Sequence, residues 1–154
     1  MTAEHQHGRG VLDTNAVIGL PHISDAGVLP AEPTITAITL AELSVGPLVA
    51  SNQAERGRRQ AHLQQAEADF DPLPFDDAAA RSFGQVAADL RASGRKRAAR
   101  AYDALIAAVA ISNGLPLYTA NPGDFDGITE LEIVALPVPG TSSPSHPQSA
   151  GADQ

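Results

Sequence analysis

Short apolar runs that end in polar turns alternate along this chain with longer segments of 3.6-residue periodicity. Gly10-Val11-Leu12-Asp13 reads as a brief buried strand closing on a polar turn, and Thr14-Asn15 opens a helix that Pro21 ends or restarts. Residues 33–38 are rich in β-formers and read as a second strand. Thr39 is expected to cap a helix over Leu40, Leu43 and Val45, which Gly46-Pro47 bends or breaks. Residues 54–70 form a polar helix with Leu63, Ala66 and Phe70 inward. Leu73-Pro74-Phe75 is a short extended piece. Asp76 then caps a helix whose inward positions are Ala80, Phe83, Val86, Ala87 and Leu90. Residues 98–112 form the most apolar helix, with Ala101, Leu105, Ala108 and Val109 on one side, and Gly114 and Pro116 stop it. Residues 115–119 are a strand, 120–127 a loop and 131–134 a last strand. The alternation predicts an α/β fold with a mostly parallel sheet, and no segment repeats.

The ends and the charge refine this picture. The chain of 154 residues is long enough for one domain with a single core. Residues 1–9 are polar and predict a flexible N-terminus without a signal peptide. Residues 139–154 are Ser, Pro, Gly and Ala with little to bury, which predicts a disordered tail. No apolar run is long enough to span a membrane, and the absence of cysteine fits a reducing cytoplasm. A net charge of −8 argues against generic nucleic-acid binding. The basic residues are clustered, however. Arg56, Arg58 and Arg59 read as a solvated helix face. Arg91, Arg95, Lys96, Arg97 and Arg100 lead straight into the segment that carries Asp103, where they are suited to positioning a phosphate backbone.

Four acids stand where such a fold turns toward one point. Asp13 follows the first strand, Glu42 lies about a turn into the next helix, Asp103 opens the apolar helix and Asp124 follows the strand at 115–119. Ligands of open α/β sheets bind beyond the carboxyl ends of the strands, where strand order reverses. Gathered there, the carboxylates repel one another unless they are protonated or share a hard cation, and oxygen ligands suit Mg²⁺ or Mn²⁺. Each acid also has an ordinary structural role. Asp13-Thr14-Asn15 is a good helix cap with an Asx turn, and Thr39-x-x-Glu42 fits a capping box. Asp103 can pair with Arg100 one turn earlier, and Asn121-Pro122-Gly123-Asp124 is a good turn. Capping explains each acid singly and explains their joint placement poorly.

With these residues in view, the chain resembles PIN-domain ribonucleases, and more narrowly the VapC-type toxins of bacterial type II toxin–antitoxin pairs. The resemblance rests on Val11-Leu12-Asp13-Thr14-Asn15, on Thr39-x-x-Glu42-Leu43, on Tyr102-Asp103-x-x-Ile106-Ala107-Ala108-x-Ala110 before Gly114-Leu115, and on Thr119-x-Asn121-x-x-Asp124-Phe125. It runs from about residue 11 to 136. It implies a PIN-like three-layer α/β/α domain over residues 10–138 with a short twisted sheet. It also implies that Asp13, Glu42, Asp103 and Asp124 are the catalytic acids around Mg²⁺ or Mn²⁺, with Asp13 and Asp103 as direct ligands and Thr14 and Asn121 in support. Arg95, Lys96, Arg97 and Arg100 would hold the RNA backbone. The implied reaction is metal-assisted hydrolysis of an RNA phosphodiester by water, leaving a 5′-phosphate and a 3′-hydroxyl. The implied substrate is tRNA or ribosomal RNA, and the implied partners are a VapB-like antitoxin that covers the site and a second copy in a homodimer.

Two other readings compete. A haloacid dehalogenase-type phosphatase needs Asp-x-Asp after the first strand, but Asn15 stands where the second acid belongs, and the only lysine, Lys96, lies in a basic run. A non-catalytic protein of the same fold would bind RNA or a partner without cleaving it, and the presence of all four acids speaks against that. The histidines add little. His5, His7 and His146 lie in the end segments, and His22 and His62 lack partners at ligand spacing. Phe83 and Phe125 are most simply core residues.

Overall fold

A computed structural model describes residues 8–94 and 101–137. Its sheet is four strands, β1 (Arg9–Leu12), β2 (Glu32–Thr34), β3 (Leu117–Thr119) and β4 (Ile133–Ala135), in the order β2-β1-β3-β4 with every pair parallel. The connections are α1 (Thr14–Gly19) between β1 and β2, then α2 (Ala37–Val45), α3 (Gln53–Asp69), α4 (Asp77–Ala92) and α5 (Ala101–Ser112) before β3. The chain leaves β1 toward β2 on one side and later returns to its other side as β3. Strand order therefore reverses between β1 and β3, which puts the ligand-binding crevice at their carboxyl ends.

Alternation along the strands divides the core in two. Val11 and Leu117 face one cluster, with Val86 of α4, Ala104 and Ile106–Ala108 of α5, Phe125 and Ile128. Leu12 and Tyr118 face the opposite cluster, with Ala16 and Val17 of α1, Leu43 of α2, Ala66 of α3 and Leu136. Neighbouring residues on a strand point to opposite faces, so two-residue patterns in β1 and β3 are enough to build both layers. The expected three-layer arrangement results.

Several local expectations shift. The second strand is shorter than 33–38, because the chain leaves β1 after Thr34 and Thr36 instead makes an isolated parallel bridge to Leu73. Thr36, not Thr39, caps α2, its hydroxyl accepting the Thr39 amide at 3.2 Å. In α4 the inward residues are Ala79 and Val86, with Phe83 and Leu90 packed beside them; Ala80 and Ala87 are exposed. A methyl group alone carries too little apolar area to set a helix's rotation, and the larger side chains decide it. Helix α5 is buried all round from Ile106 to Ala110, with Ala101 exposed and Leu105 half-buried, as befits a helix between a sheet and a neighbouring helix. The loop after β3 contains a 3₁₀ turn, Pro122–Phe125, that seats Phe125 in the core at 1 % exposure. The last strand is displaced by one to two residues, to Ile133–Ala135.

Two glycines answer specific demands. A Cβ on Gly10 would lie 2.5 Å from the Tyr118 ring, so that ring packs over β1 only because the side chain is missing. Gly114, at φ +64°, ends α5 while the Leu115 amide reaches back to the Ala110 carbonyl at 3.0 Å, turning the chain into β3. No helix among the described residues is long and apolar enough to cross a membrane.

Candidate active site

Asp13 sits at the crossing of β1, β3 and α1. Its backbone amide bonds the Tyr118 carbonyl at 3.2 Å, which continues the β1–β3 ladder to the sheet edge. Its side chain caps α1, Oδ1 accepting the Ala16 amide at 2.8 Å. Oδ2 accepts the Thr119 hydroxyl from the end of β3 at 2.5 Å. The expected helix cap is therefore made by the same carboxylate that stands at the switch point. Asp13 is only 5 % exposed. Burial pushes its carboxyl above the ordinary value of 3.8 and the negative charge of Asp124 adds to that, against the hydrogen bonds from Thr119 and Ala16.

Thr119 is itself fully buried and accepts the Asn121 amide at 3.0 Å. With its oxygen engaged by an amide, its proton is aimed at Asp13. Thr119 belongs to the Thr119-x-Asn121-x-x-Asp124 pattern, yet nothing in the sequence singles out its hydroxyl, because its partner lies 106 positions away. Asn121 precedes the 3₁₀ turn, and its carbonyl accepts the Asp124 amide at 3.0 Å. Asp124 is half-buried on that turn, near enough to Asp13 for the two charges to interact.

Glu42 reaches the same edge from α2. It does not close a capping box on Thr39, since Thr39 already lies inside the helix. Its Oε1 accepts the Thr14 hydroxyl at 2.7 Å, and Thr14 lies 3.0 Å from the Thr39 hydroxyl. Burial raises the Glu42 carboxyl above its ordinary 4.5 and the Asp13 charge raises it further, with the Thr14 bond opposing. Asp103 is half-buried in the first turn of α5. Because α5 turns at Gly114 directly into β3, it runs back across the sheet, and its N-terminal turn lies toward the carboxyl edge. That end of a helix favours negative charge. Arg95, Lys96, Arg97 and Arg100 lie outside the described residues.

Asp13 thus feels the charge of Asp124, Glu42 feels that of Asp13, and Asp103 approaches the same edge on a separate helix. Among the described residues no three or more His, Cys, Asp or Glu side chains draw together as a ready metal-ligand group. The chemistry of the donors nonetheless fits a hard cation. They are carboxylate oxygens beside neutral hydroxyls, and two of them are pushed toward protonation by burial and by a neighbouring acid's charge, which a divalent ion would relieve. Other basic residues play local roles. Arg59, expected on a solvated face, is partly buried: it donates to the Gly46 carbonyl at 2.9 Å and pairs with Glu55.

Comparison with known proteins matches the chain as a whole. The PIN domain family model matches residues 10–131. Ribonuclease VapC5 of Mycobacterium tuberculosis is 40% identical over 132 residues, covering 82% of this chain and 95% of that protein. Ribonuclease VapC8 of the same species is 36% identical over 107 residues, covering 70% of this chain and 95% of that one. Among solved structures, a member of the VapBC family of toxin–antitoxin systems, VapBC-5 from M. tuberculosis, superposes with a TM-score of 0.70 at 38% identity, covering 84% of this chain and 99% of its own. DNA-bound VapBC from Salmonella typhimurium does so with a TM-score of 0.66 at 27% identity, covering 81% and 96%.

Proposed function

From the premise that the chain belongs to the PIN-domain family, among relatives of the VapC ribonucleases, we propose that it is a toxin endoribonuclease acting at the carboxyl edge of β1 and β3, held inactive by a VapB-like antitoxin. The observation that carries the site assignment is Asp13. A carboxylate is buried at the topological switch point, tied to α1 and to β3, and kept near the charges of Glu42 and Asp124. A fold that merely needed a helix cap there would have no reason to bring two further acids toward it, since like charges oppose burial together.

Asp13 and Asp103 would hold Mg²⁺ or Mn²⁺ directly, and Glu42 and Asp124 would complete the negative pocket through water. The ion, when bound, would supply an acidified water and neutralise charge developing on the phosphate. The protein's own part is orientation. Ala16 and Thr119 fix the two oxygens of Asp13, and Thr14 fixes Glu42. The Asn121 carbonyl holds the turn of Asp124, and its side chain would support the pocket. Arg95, Lys96, Arg97 and Arg100 would draw the RNA backbone to a chain whose net charge is −8. The product would carry a 5′-phosphate and a 3′-hydroxyl, from tRNA or ribosomal RNA. A homodimer is the expected assembly, in the cytoplasm.

The test is cleavage of tRNA and ribosomal RNA with Mg²⁺ or Mn²⁺ and with chelator, by the wild type, Asp13→Ala and Asp103→Ala. Metal-dependent cutting by the wild type alone is expected. Equal cutting by all three proteins would overturn the assignment, and binding of RNA without any turnover would favour the non-catalytic reading.

A further inference from the structure

Thr39 is a polar side chain in an odd place. It is fully buried within α2, where its helix has no obvious use for a hydroxyl. A threonine inside a helix ordinarily bonds the carbonyl three or four residues back. Here the Ile35 carbonyl already accepts the Leu73 amide at 2.9 Å, and the Thr36 carbonyl accepts the Leu40 amide at 3.2 Å. The Thr39 hydroxyl turns instead to Thr14, at 3.0 Å, across 25 positions of sequence.

The direction of that bond follows from counting protons. A threonine hydroxyl has one proton to donate. Thr14 lies 2.7 Å from Glu42 Oε1, and an ionised carboxylate only accepts, so Thr14's proton goes to Glu42. Thr39 must then donate to the Thr14 oxygen. The order is Thr39 to Thr14 to Glu42, with each hydroxyl polarised by the one behind it.

We propose that Thr39 is a positioning residue for Glu42, acting through Thr14: by donating to the Thr14 oxygen it holds that side chain in place and strengthens its donation to Glu42, and so keeps the Glu42 carboxylate toward Asp13 instead of along its own helix. Without that donation the Thr14 side chain loses its second anchor, and Glu42 is held less firmly at the edge. Thr39 touches neither substrate nor reacting atoms. The chain links three hydroxyl or carboxyl groups from α1 and α2 in a layer otherwise built by Leu12, Ala16, Val17 and Leu43. In its kinetic arm the proposal rests on the ribonuclease reading of the site; in its structural arm it does not.

The experiment compares Thr39→Val, which keeps the shape and removes the hydroxyl, with Thr39→Ser, which keeps the hydroxyl, each in the wild-type and in the Glu42→Gln background. High-resolution crystal structures should show Glu42 still on Thr14 in Thr39→Ser and turned away or spread over rotamers in Thr39→Val. In RNA cleavage, Thr39→Val should lower kcat about tenfold, the usual scale for a residue that orients a catalytic group, with little change in KM, and Thr39→Ser should restore it. In the Glu42→Gln background the valine substitution should add nothing further. Glu42 seated unchanged on Thr14 in Thr39→Val would overturn the proposal, as would an equal loss of rate in both backgrounds. If the wild type cuts no RNA, the ribonuclease reading fails while the crystallographic arm still decides the proposal.

Discussion

Strand β1 meets β3 in two ways, at opposite ends. Near its start, Gly10 lies under the Tyr118 ring with no room for even a methyl group. Just past its end, Asp13 is held by the Tyr118 carbonyl and the Thr119 hydroxyl with its charge buried. The first contact is shape alone and gains from every atom it excludes. The second keeps a group that burial opposes, as both the Asp13 and Glu42 carboxyls register. One strand pair thus joins a tightly packed contact at one end to a buried charge at the other, and substitutions should separate the two.

The largest effect on the fold is expected at the packed end. Gly10→Val forces its side chain into Tyr118 and should destabilise the domain by about 3 kcal/mol, seen as a lowered thermal midpoint, with cleavage lost only in proportion to unfolding. Thr119→Val at the charged end leaves a buried carboxylate oxygen without its donor. Chemical denaturation should show a loss of about 2 kcal/mol. Unlike Gly10→Val, the variant should also cut RNA about tenfold more slowly while still folded. Asn52→Ala removes the cap of α3, whose side chain accepts the Glu55 amide at 2.8 Å, far from both contacts. It should cost about 1 kcal/mol and leave cleavage unchanged.

The smallest effect is a pH trend. Asp13 and Glu42 have folded-state pKa values raised above their ordinary 3.8 and 4.5. The stability each contributes is therefore fully present below those ordinary values and is lost as pH rises through the folded values. Without added metal, the stability advantage of Asp13→Asn over the wild type should grow with pH across that window. A constant difference in denaturant melts at each pH would show that burial does not act on the Asp13 charge.

Much of this was legible in the chain. The strand–turn–helix at Val11-Leu12-Asp13-Thr14 and the apolar segment before Gly114 named the elements, because their patterns are local and strong. The positions of Asp13 and Asp124 at strand ends followed from where ligands bind in parallel sheets. The rotation of α4 is not fixed by the pattern, since alanines at Ala80 and Ala87 match the period as well as Ala79 does. The pattern does not fix the start of α2 either, because Thr36 and Thr39 are equally good caps by composition. Only the bridge of Thr36 to Leu73 distinguishes them, and that is a tertiary contact. The hydroxyls of Thr119 and Thr39 were invisible as site residues for the same reason. Their partners, Asp13 and Thr14, lie on another strand or helix.

The difference between the two ends of β1 is tested most directly at Asp13 itself. In Asp13→Asn the amide oxygen can still accept from Ala16 while the NH2 donates to the Thr119 oxygen, whose own proton turns aside, so the shape survives and the charge goes. The account predicts that this variant melts at or above the wild-type temperature without metal and yet cuts RNA at least a thousandfold more slowly, by order of magnitude, with saturating Mg²⁺ or Mn²⁺. Cleavage within a few-fold of wild type by a fully folded Asp13→Asn would contradict it.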